Sequence, residues 1–396
     1  MATVRILLDY RPALRERSGV GEYVHQLARA LARRGAEPAN DRREVGPGAA
    51  GEADTVELFT SSWKDRPDPA ALAELDHIGR VIDRRVPVRL LNAAWHRLQW
   101  PPVELLAGRS YDVVHSPHPL IIPTRRAARV VTIHDLDFLL HPERTRDEVR
   151  RDYPALVRRH ARTAEAVVVP SACVGRLVVE KLGLPDGRVW VCPEGGPEWQ
   201  PDPAMPPGNP TGRYVLFLGT LEPRKNISGL LEAYAALCTR RPETPPLVLA
   251  GRATGDAERW LEAITRPPLA GRVEYRGYVP DALRRSLYEG ARALVLPSFE
   301  EGFGLPVVEA MTLGIPVIAS NRGALPEVSG GAAALIDPDD RGSISHALEQ
   351  VLFDPDLARR LGERGLYRAG AFRWERTAAL TREAYEAAIE RRRGRP

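Results

Sequence analysis

Cysteine is scarce in this sequence of 396 residues, and long apolar runs are absent. The three cysteines, Cys173, Cys192 and Cys238, are widely spaced and form no Cys-x-x-Cys pair, which argues against a disulfide framework and against a zinc site. No apolar run approaches the roughly 20 residues that cross a bilayer. The first run, within TVRILLDY, is too short for a signal-peptide core, so we interpret it as a strand and expect a cytoplasmic protein.

Lysine is also rare, because nearly all basic residues are arginines and only Lys64, Lys181 and Lys225 are lysines. The formal net charge of +4 is too diffuse for a nucleic-acid-binding protein, which needs a concentrated basic stripe. A mild positive excess suits phosphate-bearing ligands or an anionic membrane surface. No Gly-x-Gly-x-x-Gly motif follows the first strand, since RERSGVGEY supplies only Gly-x-Gly, and this disfavours an NAD-dependent oxidoreductase.

Short runs of Val, Ile and Leu alternate with helix-period segments along the whole chain. This alternation predicts an α/β protein with parallel sheets covered by helices on both faces. The predicted strands are TVRILLDY, TVELFTS, DVVHS, RVVTIHD, AVVVPS and RVWVCPE in the first half, and RYVLFLGT, PLVLAG, VEYRGY, ALVLPS, PVIAS and AALIDP in the second. The length favours two Rossmann-like domains. Ligands of such sheets bind beyond the carboxyl ends of the strands, so we expect both sheets to face one central cleft.

The domain boundary is predicted from proline and glycine content. The stretch PEGGPEWQPDPAMPPGNPTGR, residues 193–213, indicates a linker. We therefore expect one domain over residues 1–200, a second over 201–371, and a C-terminal helix over 372–396 that packs back on the first domain. The polar segment 36–54 is predicted to be a mobile loop.

Residues 80–106, RVIDRRVPVRLLNAAWHRLQWPPVELL, mix arginines with Trp95, Trp100 and aliphatic side chains. Such a mixture is typical of a segment that contacts a membrane surface. A helix packed on the N-terminal sheet explains the pattern equally well. Both alternatives stay open at the level of the sequence, and a peripheral location at the inner face of a membrane stays open with them.

The strand RYVLFLGT is followed by an anion-binding pattern. It ends in Gly219 and Thr220, and LEPRKN then leads into a predicted helix. Arg224 and Lys225 would thus lie beside free backbone N–H groups and the positive end of a helix dipole. Because Lys225 is one of three lysines, we favour phosphate binding over an exposed capping turn.

The segment SFEEGFGLPVVEA, residues 298–310, places carboxylates on both sides of a glycine turn. The turn lets backbone amides approach a ligand, and Pro306 suits the first turn of a helix. Carboxylates are good acceptors for sugar hydroxyls, because one carboxylate takes two bonds from a vicinal diol. Glu301 and Glu309 are therefore candidate sugar-binding residues, whereas Glu300 is predicted to be solvated.

These motifs resemble those of the retaining glycosyltransferases of family 4, which have the GT-B fold. The resemblance rests on SFEEGFGLPVVEAMTLGIPVIAS, on FLGTLEPRKN and on the GYV of YRGYVPDALRRSLYEGA. It extends over the whole chain, including Gly19-Val20-Gly21, TIHDLDFL and VVPSACVGRLV. In wording the motifs are closest to mannosyltransferases that build polysaccharide. The first domain would then bind the acceptor, and the second the nucleotide sugar.

The resemblance also implies individual roles. Glu301, with the backbone of Gly302, Phe303, Gly304 and Leu305, would hold the donor sugar. Glu309 would take the ribose hydroxyls, Arg224 and Lys225 would grip the diphosphate near Gly219 and Thr220, and the backbone of Tyr278 and Val279 would frame the nucleobase. In the first domain, Gly19 and Gly21 would let a loop close on the donor, and His134 would face the transferred sugar.

The expected reaction is transfer of a sugar from a nucleotide-diphosphate donor to a glycan, lipid-linked or small-molecule acceptor. GDP-mannose is our first choice, and a UDP-sugar is the alternative. An epimerase or phosphorylase of the same fold would share the cleft but would not need a separate glycosyl acceptor. Retention of the anomeric configuration follows from the resemblance alone, and no residue stands out as a covalent nucleophile.

No essential metal or other cofactor is expected, because Arg224 and Lys225 would neutralise the diphosphate. Asp135-Leu136-Asp137 has the spacing of an Asp-x-Asp metal site, since alternating residues of an extended segment point the same way. We disfavour that interpretation because the motif is common by chance. His115 and His118 are predicted to be structural.

Overall fold

The chain folds into two units, and each contains one parallel β-sheet. The computed structural model describes residues 3–14, 17, 19–36, 54–144 and 147–394. The first unit consists of Met1–Glu194 with Trp374–Pro396, and the second of Gly195–Arg373. The chain enters the second unit slightly before the predicted boundary at residue 200. The loop predicted at 36–54 lies, except for its two ends, outside the described residues.

The described residues of the first unit form a seven-stranded sheet in the order β3-β2-β1-β4-β5-β6-β7. The strands are β1 (Arg5–Asp9), β2 (Thr55–Thr60), β3 (Arg80–Asp83), β4 (Val113–Ser116), β5 (Ala128–Thr132), β6 (Ala166–Val169) and β7 (Val189–Val191). The helices are α1 (Val20–Ala36), α2 (Pro69–Ala73), α3 (Val88–Ala93), α4 (Val103–Ala107), α5 (Asp137–Leu140), α6 (Asp147–Thr163) and α7 (Ala172–Leu182). All neighbouring strands are parallel, and the order changes direction between β1 and β4.

The second unit has a six-stranded sheet in the order β10-β9-β8-β11-β12-β13. The strands are β8 (Tyr214–Leu218), β9 (Leu247–Ala250), β10 (Val273–Gly277), β11 (Ala291–Leu296), β12 (Val317–Ser320) and β13 (Ala333–Ile336). The helices are α8 (Ile227–Arg240), α9 (Glu258–Ala263), α10 (Asp281–Glu289), α11 (Leu305–Thr312), α12 (Leu325–Ser329), α13 (Arg341–Phe353) and α14 (Pro355–Ala369). Here the order changes direction between β8 and β11, and all pairs are again parallel.

The last helix, α15 (Trp374–Arg393), belongs to the first unit. Its Thr377 hydroxyl donates to the Pro193 carbonyl at 2.6 Å, and the hydroxyl of Tyr385 lies 2.7 Å from Nδ1 of His115. Arg382 forms an ion pair with Asp54 at the start of β2. The N-terminal and C-terminal parts of the sequence thus share one core.

The proline-rich stretch predicted as a linker is largely part of the second unit. Residues 195–213, all of them described, contain neither helix nor strand. They are nevertheless fixed, because the amide group of Asn209 donates to the carbonyls of Glu289 at 2.9 Å and Ala291 at 2.7 Å. The Gly196 N–H donates to the Phe372 carbonyl at 2.9 Å. Proline and glycine predicted the lack of regular structure but not this packing.

Residues 80–106 contain a strand that the sequence analysis did not predict, β3, followed by α3, a π-helical turn over Ala94–Leu98, and α4. Leu91 and Trp95 are buried among the apolar side chains of the sheet. Trp100, by contrast, is 63% exposed. One face of the segment thus packs on the sheet, as one alternative required. None of the helices in the described part of the chain combines the length and the hydropathy needed to cross a bilayer.

Candidate active site

The strand order of the second sheet reverses between β8 and β11, and two loops rich in charged residues follow these strands. Because the strands are parallel neighbours, their carboxyl ends lie at the same edge. The two loops are joined directly, since the Phe299 N–H donates to the Arg224 carbonyl at 2.9 Å. Such a change of direction is where open parallel sheets bind ligands.

The loop after β8 positions Arg224 and Lys225. It forms a 3₁₀ turn over Pro223–Lys225, and Asn226 then begins α8 with a left-handed φ of 55°. The Asn226 side chain accepts from the Gly229 N–H at 3.2 Å and donates to the Pro338 carbonyl at 2.7 Å. Both cations are therefore carried by a fixed turn at the start of a helix, as the sequence predicted for an anion site.

The end of β8 lies against the end of β9 with no room for a side chain. Gly251 has a φ of +135°, and a Cβ atom there would lie 2.0 Å from the Gly219 carbonyl oxygen. The Gly219 N–H donates to the Ala250 carbonyl at 2.9 Å. Gly219 and Thr220, both half-buried, thus leave the sheet along a defined path.

Glu301, in the loop after β11, is buried and held by both cations. Its Oε1 accepts from Lys225 Nζ at 2.5 Å and from the Ser298 hydroxyl at 2.6 Å. Its Oε2 lies 3.4 Å from the Arg224 guanidinium. Arg224 also donates to the Glu300 carbonyl at 3.0 Å and to the Glu222 carboxylate at 2.9 Å. The structure thus brings together three residues that were predicted from separate motifs.

The charge state of Glu301 follows from these contacts. Burial by itself would raise the pKa of its carboxyl group, but the charges of Lys225 and Arg224 and the bonds from Lys225 and Ser298 hold that pKa below its usual value. Glu301 is therefore an ionised carboxylate. An ammonium group has three N–H donors, so the bond to Glu301 leaves Lys225 two for a ligand.

The glycine turn that follows begins α11. Gly304 has a φ of +101°, and a Cβ atom there would lie 2.6 Å from Cδ2 of Leu325. Gly302 is buried, and Leu305 is half-buried at the first position of the helix. The ring of Phe303 is also buried and meets Phe372 edge to face at 5.5 Å between centroids. The ring has a packing role, whereas the predicted role of these backbone amides stays a prediction.

Glu309 lies on α11 but has its own partners, which the sequence analysis missed. Its carboxylate forms an ion pair with Arg284 and accepts from the Tyr288 hydroxyl at 2.7 Å. Burial, together with the charge of Glu309, raises the pKa of Tyr288 well above its usual value, so Tyr288 is a hydrogen-bond donor. The spacing of Arg284 and Tyr288, four residues apart, indicates that they share one face of α10, but the sequence alone does not show that this face meets Glu309.

Tyr278 and Val279 follow β10, the outer strand on this side of the sheet. Gly277, which ends β10, has a φ of +65°, and its carbonyl accepts from the Gly251 N–H at 2.7 Å. Tyr278 and Val279 are both half-buried. They share the carboxyl edge with Glu301 but lie two strands away from β8.

In the first unit, His134 follows β5 and sits between two acceptors. Its Nε2 donates to the Pro117 carbonyl at 3.2 Å, and its Nδ1 lies 3.4 Å from the buried carboxylate of Glu194. The ring packs edge to face on Tyr23 at 4.8 Å. No role was predicted for Glu194 from the sequence, and in the structure it is the partner of His134.

The two N-terminal glycines differ. Gly19 is exposed, has a φ of +52° and precedes α1, whereas Gly21 is buried inside the first turn of α1. A Cβ atom at Gly21 would approach the Pro12 carbonyl to 3.0 Å. Close packing against Pro12 therefore explains why position 21 is a glycine. Ligand contact by Gly19 or Gly21 stays a prediction.

The change of direction in the first sheet carries a separate charge cluster, which the sequence analysis did not predict. Arg11 donates to both oxygens of the buried Asp9 at 2.8 and 2.7 Å, and His118 Nε2 lies 3.0 Å from the same carboxylate. Burial would raise the pKa of Asp9, but Arg11 and His118 hold it far below its usual value. Because the aspartate ends β1 and the histidine follows β4, strand-end position was the available signal.

Other candidate residues have structural partners. His115 lies between the hydroxyls of Tyr385 and Thr132 at 2.7 and 2.8 Å, and burial lowers its pKa to about 3. Asp135 accepts from the N–H of Asp137, which begins α5. No group of three or more His, Cys, Asp or Glu side chains in the described residues is arranged to hold a metal ion.

Two family models match the chain in sequence. The model described as Glycosyltransferase Family 4 matches residues 43–195, and the model described as Glycosyl transferases group 1 matches residues 203–367. Over 400 aligned residues the chain is 31% identical to O-antigen chain mannosyltransferase B of Escherichia coli, which covers 97% of this chain and 100% of that protein. The chain belongs to glycosyltransferase family 4.

This family 4 glycosyltransferase is also similar to other known proteins. It is 35% identical over 188 residues to MMP alpha-(1->4)-mannosyltransferase of Mycolicibacterium hassiacum, covering 46% of this chain and 45% of that one. Sucrose-phosphate synthase from Thermosynechococcus elongatus aligns over 97% of this chain and 98% of its own, with a TM-score of 0.74 and 23% identity. Anabaena HepE, in complex with UDP and glucose, aligns over the same shares with a TM-score of 0.67 and 18% identity. The predicted GT-B fold, family and enzyme class are confirmed.

Proposed function

We propose that this glycosyltransferase transfers mannose from a nucleotide-diphosphate donor, GDP-mannose in the first instance, to a glycan or lipid-linked acceptor. The observation that carries the proposal is the cluster of Glu301, Lys225 and Arg224 at the change of direction of the second sheet. The choice of mannose is supported by the names of two relatives, an O-antigen chain mannosyltransferase and an MMP mannosyltransferase.

The chemistry follows from the charges. Cleavage of the bond between the anomeric carbon and the diphosphate oxygen leaves its electron pair on that oxygen, and positive charge develops on the sugar. Lys225 and Arg224 would stabilise the negative charge on the departing diphosphate without reorganising, because Glu301 already holds both of them. The acceptor hydroxyl forms the new bond to the anomeric carbon, and its proton passes to the departing phosphate. We propose that the anomeric configuration is retained.

Glu301 would accept a hydroxyl of the donor sugar with its remaining lone pairs. Glu309 would accept the two ribose hydroxyls in the same way, because one bond each from Arg284 and Tyr288 leaves half of the roughly four acceptor positions of a carboxylate. The backbone of Tyr278 and Val279 would frame the nucleobase. In the first unit, His134 is proposed as a sugar-contacting residue, oriented by Glu194.

The test is a donor panel. The purified protein is incubated with GDP-mannose and with UDP- and ADP-sugars, and the released nucleotide and the product are identified by mass. The expected result is release of GDP with mannose on the acceptor, together with a larger thermal stabilisation by GDP than by UDP or ADP. Equal stabilisation by all three nucleotides would overturn the choice of GDP.

We propose further that the reaction needs no metal, since two cations of the chain would neutralise the diphosphate. The expected result is that excess chelator leaves the rate of GDP release unchanged. Loss of activity in chelator, restored by Mg²⁺ or Mn²⁺, would contradict this part of the proposal and leave the donor assignment intact.

A further inference from the structure

The segment that follows β3 exposes an unusual number of large apolar side chains. Leu90, Leu98, Trp100 and Leu105 are 66%, 74%, 63% and 50% exposed. A single exposed leucine on a protein surface needs no explanation, but several close together in one short segment mark an interaction site.

This exposure is not a sign of a poorly packed helix. On α3 and the π-helical turn after it, Leu91 and Trp95 point inward and are 3% and 0% exposed. The Trp95 indole N–H donates to the Pro101 carbonyl at 2.9 Å. The inner face is therefore complete, and Leu90 and Leu98 stand on the outer face of the same well-packed segment.

The same segment concentrates positive charge. Residues 80–109 contain six arginines and two carboxylates, a net charge of +4 that equals the formal net charge of the whole chain. Both carboxylates have other partners, since Asp83 lies 3.7 Å from Arg66 and Glu104 accepts from the Arg125 N–H at 2.9 Å. The remaining sequence is neutral in sum, so the excess of arginine lies in this segment, although Arg109 pairs with Glu57 outside it at 2.5 Å.

A surface depression of about 520 Å³ adjoins the outer face. It is lined by Arg97, Asp152, Ala155, Leu156 and Arg159. Asp152 forms an exposed pair with Arg97 at 3.4 Å, which contributes little binding energy and can exchange for another anion. The depression thus combines the guanidinium groups of Arg97 and Arg159 with the apolar side chain of Leu156, a combination that suits a phosphate head group attached to an acyl chain.

We infer that Leu90, Leu98, Trp100 and Leu105, together with Arg89 and Arg97, form a membrane-binding face that docks on an anionic lipid bilayer. Large apolar side chains mixed with arginines are the composition of segments that lie in a membrane interface, where a tryptophan ring is favoured. Arginine near an anionic leaflet adds electrostatic attraction. A second copy of this chain is a poorer occupant, because a twofold contact would bring the same positive faces together. This inference is independent of the identity of the donor sugar.

The experiment is vesicle flotation with the full chain. Vesicles of phosphatidylcholine alone are compared with vesicles in which phosphatidylglycerol replaces part of it. The wild type is expected to float with the anionic vesicles and to stay behind with the neutral ones. The double variant Leu98→Ser, Trp100→Ser is expected to lower the partition coefficient by about tenfold or more. Arg89→Gln with Arg97→Gln should lower binding to anionic vesicles as well.

The matched control is Leu335→Ser with Tyr367→Ser, which removes two apolar side chains that are 45% and 91% exposed on the second unit. It should bind vesicles like the wild type. Thermal melting confirms that each variant is folded. Failure of the wild type to float, or equal flotation of the Leu98/Trp100 and control variants, would overturn the inference. The inference would also be overturned if the wild type were a dimer in solution and the Leu98/Trp100 variant a monomer, because the face would then bind a second copy.

Discussion

The strand order reverses between β1 and β4 in the first sheet and between β8 and β11 in the second, and the charged residues at these two positions are arranged differently. In the first unit, Asp9 is fully buried and receives two bonds from Arg11 and a third contact from His118. In the second unit, Lys225 and Arg224 meet the buried Glu301 but keep 12% and 19% of their side chains exposed. The first cluster ties two strand ends together through Arg11, whose side chain is 8% exposed, while His118 at its edge is 24% exposed. The second instead carries two partly exposed cations on one loop, as the proposed diphosphate site requires.

The number of histidines also distinguishes the two units. Eight of the nine histidines lie in the first unit, and only His346 lies in the second. Burial is the main cause of four lowered pKa values, which are about 4 for His25, about 3 for His96, about 3 for His115 and about 4 for His160. The first unit thus contains four imidazoles that stay neutral near pH 7, whereas His346 of the second unit is exposed.

Removal of one cation from the second cluster should have the largest effect on activity. Lys225→Met should lower turnover by about 100-fold to 1000-fold, because it removes stabilisation of the departing diphosphate. Glu301→Gln should also cripple turnover, since it releases Lys225 and Arg224. The measurement is the rate of nucleotide release with saturating donor and acceptor.

The matched controls are Lys181→Met, which removes an exposed lysine of the first unit, and Glu300→Gln, the neighbour of Glu301. Both should keep nearly full activity. An inactive Glu300 variant beside an active Glu301 variant would show that the wrong acid of the pair had been assigned to the donor.

Substitution in the Asp9 cluster should lower stability instead of turnover. Asp9→Asn leaves the Arg11 charge buried without its carboxylate, which should lower the free energy of unfolding by about 3–5 kcal/mol. The measurement is chemical denaturation followed by tryptophan fluorescence. Asp152→Asn is the control, since its pair with the exposed Arg97 should contribute about 1 kcal/mol or less. Equal effects of the two substitutions would show that the Asp9 cluster does not stabilise the first unit more than an exposed ion pair does.

The histidine difference predicts that acid unfolds the first unit before the second. A buried imidazole whose folded pKa lies below the unfolded value of about 6.5 becomes protonated more readily in the unfolded chain. The contribution of these histidines to the free energy of unfolding is therefore fully present above about pH 6.5. It is lost as the pH falls toward their folded pKa values of about 4 and about 3. Hydrogen exchange read by peptide mass at several pH values measures this by unit. Faster exchange in residues 214–353 than in the first unit at pH 5 would contradict it.

The smallest effect concerns the partners of Glu309. Arg284→Met should raise the KM for the donor by about tenfold through the loss of one charge-assisted bond, while kcat changes little. Arg284→Lys should restore part of the affinity. Arg285→Met is the control, because Arg285 pairs with Glu289 on an exposed face of α10. A fall in kcat with unchanged KM would mean that Arg284 acts on the reaction and not on donor binding.

Much of the fold could be predicted because parallel strands buried on both faces are continuous apolar runs. Strand β3 was missed because RVID has charged residues at both ends and only two apolar residues between them. The cluster of Glu301 with Arg224 and Lys225 was predictable in parts, since each residue follows a strand end. Its internal bonds were not, because they join residues about 76 positions apart. The role of Gly21 was missed for a similar reason, as only the structure shows the Pro12 carbonyl beside it.

Helix α15 has a consequence for how the protein is made. The second unit is continuous in sequence, so it can fold as soon as residue 373 has left the ribosome. The first unit is synthesised earlier but must wait for its last helix, which supplies Tyr385 to the buried His115 and Arg382 to Asp54. The half that starts first is therefore completed last. A truncation within α15 therefore acts on the unit that contains residues 1–194.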